Sequence, residues 1–253
     1  MWARLEPGLK ELIKVKSGKD GISPMDARDL AKVAAARGAL QYIKDGMRVG
    51  LGTGSTAAKF VDLLAQLCQE KGWHVVCVPT SEVTAQQAIS LGLELDQAYP
   101  DFRHLDVVVD GADEIDPKGN LTKGGGGALL REKYVAAAAD KMIVIVDEAK
   151  HVDYLGTTFK LPVEIVSFAW SNTMERLAAF TPNLELRRRD GKIFVTDQGN
   201  YIVDCKFTKI EDPSKLHSAL KSLTGVVETG IFSGYAKVCV TGLADGTFKV
   251  DEF

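Results

Sequence analysis

The sequence predicts a doubly wound α/β fold, a mostly parallel sheet with helices on both faces, carrying a smaller inserted α+β unit. Three observations predict it. Short apolar runs of strand length alternate with segments of helical periodicity up to about residue 150. A glycine-rich turn joins the first run to its helix. After Leu161 the texture changes to amphipathic strands joined at DG and QGN turns, before a last apolar run, YAKVCVTGL, that suits the first sheet.

The elements follow in order. From Asp26 to Ile43 apolar residues recur at helical spacing (Leu30, Val33, Ala34, Ala39, Leu40, Ile43), predicting an amphipathic helix that stops at a DG turn. MRVGLGTGSTAAKFVDLLAQL reads as strand, glycine-rich turn and helix. WHVVCVPT is a buried strand, and SEVTAQQAISLGL is a helix capped by Thr80 or Ser81 and ended by a glycine. LDVVVDGADEI is a third strand, ALLREKYVAAAADK an alanine-rich helix and MIVIVDEAK a fourth strand. This alternation predicts parallel pairing in a Rossmann-like sheet. Beyond Leu161 a strand (PVEIV), a helix over 171–180, two or three strands within LELRRRDGKIFVTDQGNYIVDCKF and a further helix form a small ferredoxin-like module. The expected domains are an N-terminal extension over 1–25, a main domain over 26–155 and 229–253, and an insert over 156–228.

Composition narrows the function. With 31 Lys and Arg against 34 Asp and Glu, the net charge is −3, which argues against a nucleic-acid binder held by phosphate contacts. No apolar run reaches bilayer length, so no membrane partner is expected. Cys68, Cys77, Cys205 and Cys239 stand singly, and His74, His104, His151 and His217 are equally dispersed; no metal site is expected, and reduced thiols fit a cytoplasmic protein. The first 25 residues lack a secretory or transit signal; Trp2, Leu5, Leu9 and Leu12 suggest a short amphipathic helix before an SGKDG linker.

Two glycine-rich turns carry the chemistry. GLGTGST, residues 50–56, lies between a strand and a helix, where backbone N–H groups and the helix end hold anions. Ser55 occupies the position of the last glycine of the dinucleotide fingerprint, and the Gly-Lys-Ser/Thr of a P-loop is missing. What remains is either an anion cradle with hydroxyls from Thr53, Ser55 and Thr56, or a tight turn with an ordinary Ser/Thr cap. KGGGGALLREK places four consecutive glycines after Lys123, each costing about 0.5–1 kcal/mol of backbone entropy relative to alanine. A backbone that must approach a ligand closely explains that cost better than a featureless loop.

Asp110 ends a buried strand and Asp113 follows it, where ligands gather in open parallel sheets; Asp110 could alternatively only cap its turn, and Glu114 and Asp116 are expected to face solvent. Glu132 opens the next helix between Arg131 and Lys133, in company that usually marks a solvated face. Together, an anion cradle, a polar strand end, flexible glycines, a carboxylate and an ammonium suit proton removal next to a carbonyl with stabilisation of the resulting oxyanion.

With GLGTGSTAAKF, PTSEVTAQQA, VDGADEID, KGGGGALLREK, DEAK, KLPVEIV and GNYIVDC in this order, the chain resembles the type A ribose-5-phosphate isomerase family over nearly everything after Met25. The resemblance implies interconversion of D-ribose 5-phosphate and D-ribulose 5-phosphate without metal or organic cofactor, by a homodimer or homotetramer. It implies substrate contacts at Thr53, Gly54, Ser55 and Thr56, at Asp110, Gly111, Ala112 and Asp113, at Lys123, Gly124, Gly125 and Gly126, at Lys150 and at Lys32. The proton acceptor falls on Glu132, with Asp110 assisting ring opening and Lys123 steadying the oxyanion. Gly127 departs from the family pattern, where alanine is common, and is expected to loosen the loop. Two other readings are an amino-sugar phosphate isomerase or CoA transferase, for which a ring-opening histidine or a catalytic glutamate motif is not evident, and a sugar-phosphate sensor, for which the N-terminal extension is too short to hold a DNA-binding module.

Overall fold

A computed structural model describes residues 26–97 and 100–253; the expected N-terminal helix lies outside them. The helices are α1 (Ala27–Ala39), α2 (Ser55–Lys71), α3 (Glu82–Ser90), α4 (Leu129–Ala138), α5 (Trp170–Leu177) and α6 (Pro213–Lys221). The main sheet contains β1 (Arg48–Leu51), β2 (Val76–Pro79), β3 (Glu94–Leu95), β4 (Leu105–Asp110), β7 (Ala139–Asp147), β15 (Ala236–Gly242) and β16 (Phe248–Glu252). Its seven strands run in the order β16-β15-β7-β4-β1-β2-β3. All neighbours pair in parallel except β15 and β16. The antiparallel edge strand β16 was not expected; four of its five residues are exposed, so it carries little apolar signal.

The sheet is buried on both faces because its central strands are apolar at successive positions. Val107, Val109, Ile143 and Ile145 join one core with residues of α1, α2 and α3, while Leu105, Val108, Val144 and Val146 join the other with Val135 of α4. Helix α1 differs from its expected packing. Its buried stripe is the small-residue series Ala31, Ala34, Ala35 and Gly38, whereas Leu30 and Val33 are only half-buried. A side chain at Gly242 of β15 would collide with the Ala31 carbonyl, so this helix lies against the sheet at backbone distance. Helix α4 ends at Ala138, earlier than expected, because Ala139 to Lys141 pair with β4.

A second sheet contains β8 (Leu161–Ile165), β9 (Leu184–Leu186), β12 (Tyr201–Cys205) and β13 (Val226–Thr229), in the antiparallel order β13-β8-β12-β9. With α5 after β8 and α6 before β13, this is the ferredoxin-like βαββαβ pattern, and Leu177 and Leu220 of the two helices join its core. Between them, β9 and β12 are separated by a two-residue hairpin pair, β10 (Arg188–Arg189) and β11 (Lys192–Ile193). A third, three-stranded sheet, β14-β6-β5, joins Ile231–Phe232 to Leu121–Thr122 and Glu114–Ile115. Among the described residues no helix is long and apolar enough to cross a membrane.

The chain proceeds from β1 outward through β2 and β3, then returns to place β4 on the other side of β1. That reversal opens a crevice beyond the carboxyl ends of β1 and β4, the place where ligands bind in sheets of this type.

Candidate active site

The two strand ends at this reversal are locked together. Gly52 N donates to Val109 O at 2.9 Å, and any side chain at Gly52 would collide with Asp110. Asp110 is 1% exposed, and its Oδ1 accepts from Thr53 N at 3.1 Å and Gly111 N at 2.7 Å. Its Oδ2 lies 2.9 Å from Lys123 Nζ, an ion pair off the hydrogen-bond direction.

Beyond this lock, Gly54 precedes α2 without capping it through a side chain. The alternative of an ordinary Ser/Thr cap is therefore absent here, and Ser55, Thr56 and Ala57, whose first-turn N–H groups have no intrahelical partner, line the cavity. Thr53 lines it too, but its hydroxyl points away, bonding Thr80 Oγ1 at 2.7 Å and Ser81 Oγ at 2.8 Å. The expected Thr53 hydroxyl contact is thus replaced by a buried hydroxyl cluster that braces the turn.

The opposite wall is the glycine loop. Lys123 follows β6, with its N–H donating to Gly230 O at 2.8 Å. Gly124, Gly125 and Gly126 line the cavity, and Gly125 N donates to Asp113 Oδ2 at 2.7 Å. A Cβ on Gly125 would stand 2.6 Å from that carboxylate and 3.0 Å from Phe159. Contrary to the expectation from its departure from the family pattern, Gly127 does not loosen this loop. It closes a turn through Gly127 N to Gly124 O at 3.0 Å, adopts φ +88°, and leaves no room for a Cβ beside the Phe194 ring. Gly127→Ala should therefore destabilise the protein by at least about 1–2 kcal/mol, the cost of a left-handed L-residue. Thermal unfolding would show this as a Tm lowered by a few degrees, about 2–4 °C per kcal/mol at this chain length. An unchanged Tm would show that the loop yields freely.

Glu132 lies in the first turn of α4, 4% exposed, against the expectation of a solvated face. Leu129, Glu132, Lys133 and Ala136 form the buried stripe, so two charged residues occupy core positions of the helix. Glu132 Oε1 accepts from Lys123 Nζ at 3.2 Å, and Oε2 has no hydrogen-bond partner among the described residues. Lys123 Nζ also donates to Gly111 O at 2.6 Å. Lys133 turns to the other side, donating to Glu228 Oε1 at 2.8 Å and Thr229 O at 2.7 Å. The Phe232 ring is near both ammonium groups, its centroid 5.6 Å from Lys123 Nζ and 4.8 Å from Lys133 Nζ.

One ammonium thus serves two buried carboxylates, and their protonation follows from that imbalance. Burial raises the Glu132 carboxyl, Lys123 opposes it, and the negative charge of Asp110 and Asp113 adds to the rise, leaving it at about 8. Burial likewise raises Asp110 against the pull of Lys123. Burial alone would lower the Lys123 ammonium, but Asp110 and Glu132 outweigh it and hold the group above the ordinary lysine value. Asp113, also raised by burial, lines the cavity together with Gly111 and Ala112. Lys150 lines it from the turn after β7.

Four further expectations change. Asp110 does not line the cavity, because its oxygens face Thr53, Gly111 and Lys123 beneath it. Lys32 does not line it either, and its Nζ pairs with Asp29 at 3.0 Å. Glu114 is fully buried rather than solvated, accepting from Gly156 N at 2.6 Å, Thr158 N at 2.7 Å and Phe159 N at 2.9 Å. It thereby fixes the segment that places Phe159 over Gly125. Asp116 is also buried, closing its own turn through Lys118 N and Asn120 N.

A buried carboxyl beside an ammonium, set across from an uncapped helix N-terminus of the kind that binds anions, suits an isomerase that moves a proton along a phosphorylated sugar. Residues 76–246 match the family model for ribose 5-phosphate isomerase A (phosphoriboisomerase A). The ribose-5-phosphate isomerase A of Synechococcus sp. (strain JA-3-3Ab) is 48% identical over 224 residues, covering 88% of this chain and 97% of that one. That of Rhodopseudomonas palustris (strain HaA2) is 47% identical over 234 residues, covering 90% and 99%. Among solved structures, ribose 5-phosphate isomerase from Plasmodium falciparum superposes with a TM-score of 0.83 at 36% identity, covering 89% of this chain and 99% of its own. A D-ribose-5-phosphate isomerase in complex with phospho-erythronic acid gives a TM-score of 0.83 at 39% identity, covering 88% and 97%. The chain belongs to the ribose 5-phosphate isomerase A family.

Proposed function

We infer that this chain interconverts D-ribose 5-phosphate and D-ribulose 5-phosphate, in the non-oxidative pentose phosphate pathway, with Glu132 carrying the proton. The observation that carries the reading is the buried Glu132 carboxylate, bonded through one oxygen to Lys123 and unpaired at the other, beside the cavity. The 5-phosphate sits at the start of α2, against the N–H groups of residues 54–57 and the hydroxyls of Ser55 and Thr56, with Lys150 adding charge. The carboxyl placed to assist ring opening is Asp113 rather than Asp110, since Asp113 lines the cavity; Asp110 instead anchors Lys123 and the Thr53 turn. In the open-chain aldose Glu132 takes the C2 proton, negative charge moves to O1, and Lys123 with the glycine N–H groups stabilises the enediolate. Glu132 then returns a proton to C1 while the O2 proton passes to O1, giving the ketose. The phospho-erythronic acid bound by the related structure supports this reading, because its carboxylate resembles a planar, anionic enediolate.

A coupled assay for ketose formation tests the activity: a sensor of sugar phosphates would bind ribose 5-phosphate and release no ketose. The pH dependence follows from the raised Glu132 carboxyl. A raised pKa keeps the proton on to higher pH, so the basic form grows as pH rises toward about 8. The rate kcat/KM should climb about tenfold per pH unit below that value and level off above it. An ascending limb centred in the ordinary glutamate range would contradict the buried, charge-coupled base. The division into 26–155 with 229–253 and 156–228, assembly as a homodimer or homotetramer, and a cytoplasmic location belong to the same reading and are supported by the family membership.

A further inference from the structure

The glycine loop is held from outside by the inserted sheet, and the hold converges on one side chain. Arg187 directly follows β9, and its own N–H donates to Ile202 O of β12 at 2.8 Å. Its Nη1 donates to Gly124 O at 2.7 Å and Gly125 O at 3.3 Å. Nε and Nη2 meet Asp204 Oδ2 and Oδ1 at 2.9 and 2.5 Å, and both side chains are mostly buried. A guanidinium is a rigid plane, so a carboxylate that grips one edge also determines where the other edge points.

The consequence reaches the cavity through peptide planarity. In a trans peptide the C=O and the following N–H point in opposite directions. With the Gly124 carbonyl turned to Arg187, the Gly125 N–H is sent to Asp113 Oδ2. With the Gly125 carbonyl turned the same way, peptide planarity sends the Gly126 N–H away from Arg187, and Gly126 is a residue that lines the cavity. Glycines adopt either sign of φ readily, and Gly124 stands at +102°, so these planes depend on their partners: the Gly124 carbonyl has Arg187 and the Gly127 N–H, while Arg187 alone reaches the Gly125 carbonyl from the inserted sheet.

We propose that Arg187 is a positioning residue for the proton-transfer site: by holding the Gly124 and Gly125 carbonyls it aims the Gly126 N–H at the oxygen on which charge develops. The inserted domain then takes part in catalysis without touching substrate. This rests on the isomerase reading above. Removing one oxyanion donor costs about 10²–10³ in kcat, and misaligning one costs up to that amount.

The test compares Arg187→Met with Glu132→Gln in steady-state assays on ribose 5-phosphate, each normalised to folded protein by circular dichroism. Arg187→Met should lose about 10²-fold in kcat, with KM within about threefold because the phosphate turn is untouched, and added guanidinium ion should restore part of the rate. A lesion that merely weakens the fold would lower the folded fraction and leave kcat per folded molecule unchanged, which overturns the proposal. So does a rise in KM in place of a fall in kcat. If Arg187→Met does not fold, Asp204→Asn decides by the same split, with an expected loss of about tenfold in kcat at constant KM. An inert Glu132→Gln beside a fully active Arg187→Met sinks the positioning role alone; normal turnover by both removes the base assignment and this proposal with it.

Discussion

Glu132→Gln should lower kcat by about 10²–10⁴, the usual contribution of a positioned general base, while KM for ribose 5-phosphate stays within a few-fold. Glutamine preserves the shape of the side chain and can still face Lys123, so the variant separates proton transfer from packing. It also removes one of the two carboxylates that share a single ammonium. Thermal stability should therefore hold or rise slightly, the opposite direction from the loss of activity. A variant that lost both activity and its folded state would point to a structural role for Glu132. A variant with near-normal kcat would show that another group takes the proton.

Lys123→Met should be the most damaging single change to the fold as well as to the rate. Lys123 is 2% exposed and lies between Asp110 and Glu132, which are themselves buried. Removing one partner of a buried ionic cluster costs about 3–5 kcal/mol, because the remaining charges are left without compensation. Part of that cost is relieved when the carboxyls take up protons, and without the ammonium that opposes its rise the Glu132 carboxyl keeps its proton to still higher pH. The rate should fall by more than the roughly 10²–10³ expected for a single oxyanion stabiliser. Chemical denaturation and kcat measured side by side check both effects. Unaltered stability with a modest change in rate would mean that Asp110 and Glu132 are not held by this ammonium.

Much of the fold was legible in the sequence because strand and helix signals are local. LDVVVD and MIVIVD are apolar at successive positions and bury both faces, and GLGTGST joins a strand to a helix as its glycines suggest; the reversal of strand order beside it became visible only in the fold. The edge strand 248–252 escaped because an exposed antiparallel strand alternates weakly. The site was legible in part. Glu132 was visible as a family position, yet its neighbours Arg131 and Lys133 suggested solvent; the spacing Leu129, Glu132, Lys133, Ala136 contained the signal, since it is the helical stripe that faces inward. Glu114 gave no such sign. Its partners Gly156, Thr158 and Phe159 lie more than forty positions away, and no local pattern announces a carboxylate that organises a distant loop. Arg187 was hidden for the same reason within a run of three arginines, distinguished only by Asp204 and two glycine carbonyls brought to it by the fold.

On the proposed route a carboxylate moves a solvent-exchangeable proton between two carbons of the sugar. Turnover of ribose 5-phosphate in heavy water, with the ketose analysed by NMR, tests it most directly. Deuterium should enter C1 of ribulose 5-phosphate as ketose forms, and Glu132→Gln should suppress label and product together. Ketose formed at the normal rate with only protium at C1, unaffected by loss of the Glu132 carboxylate, would mean that hydrogen passes directly from C2 to C1 and that this side chain is not its carrier.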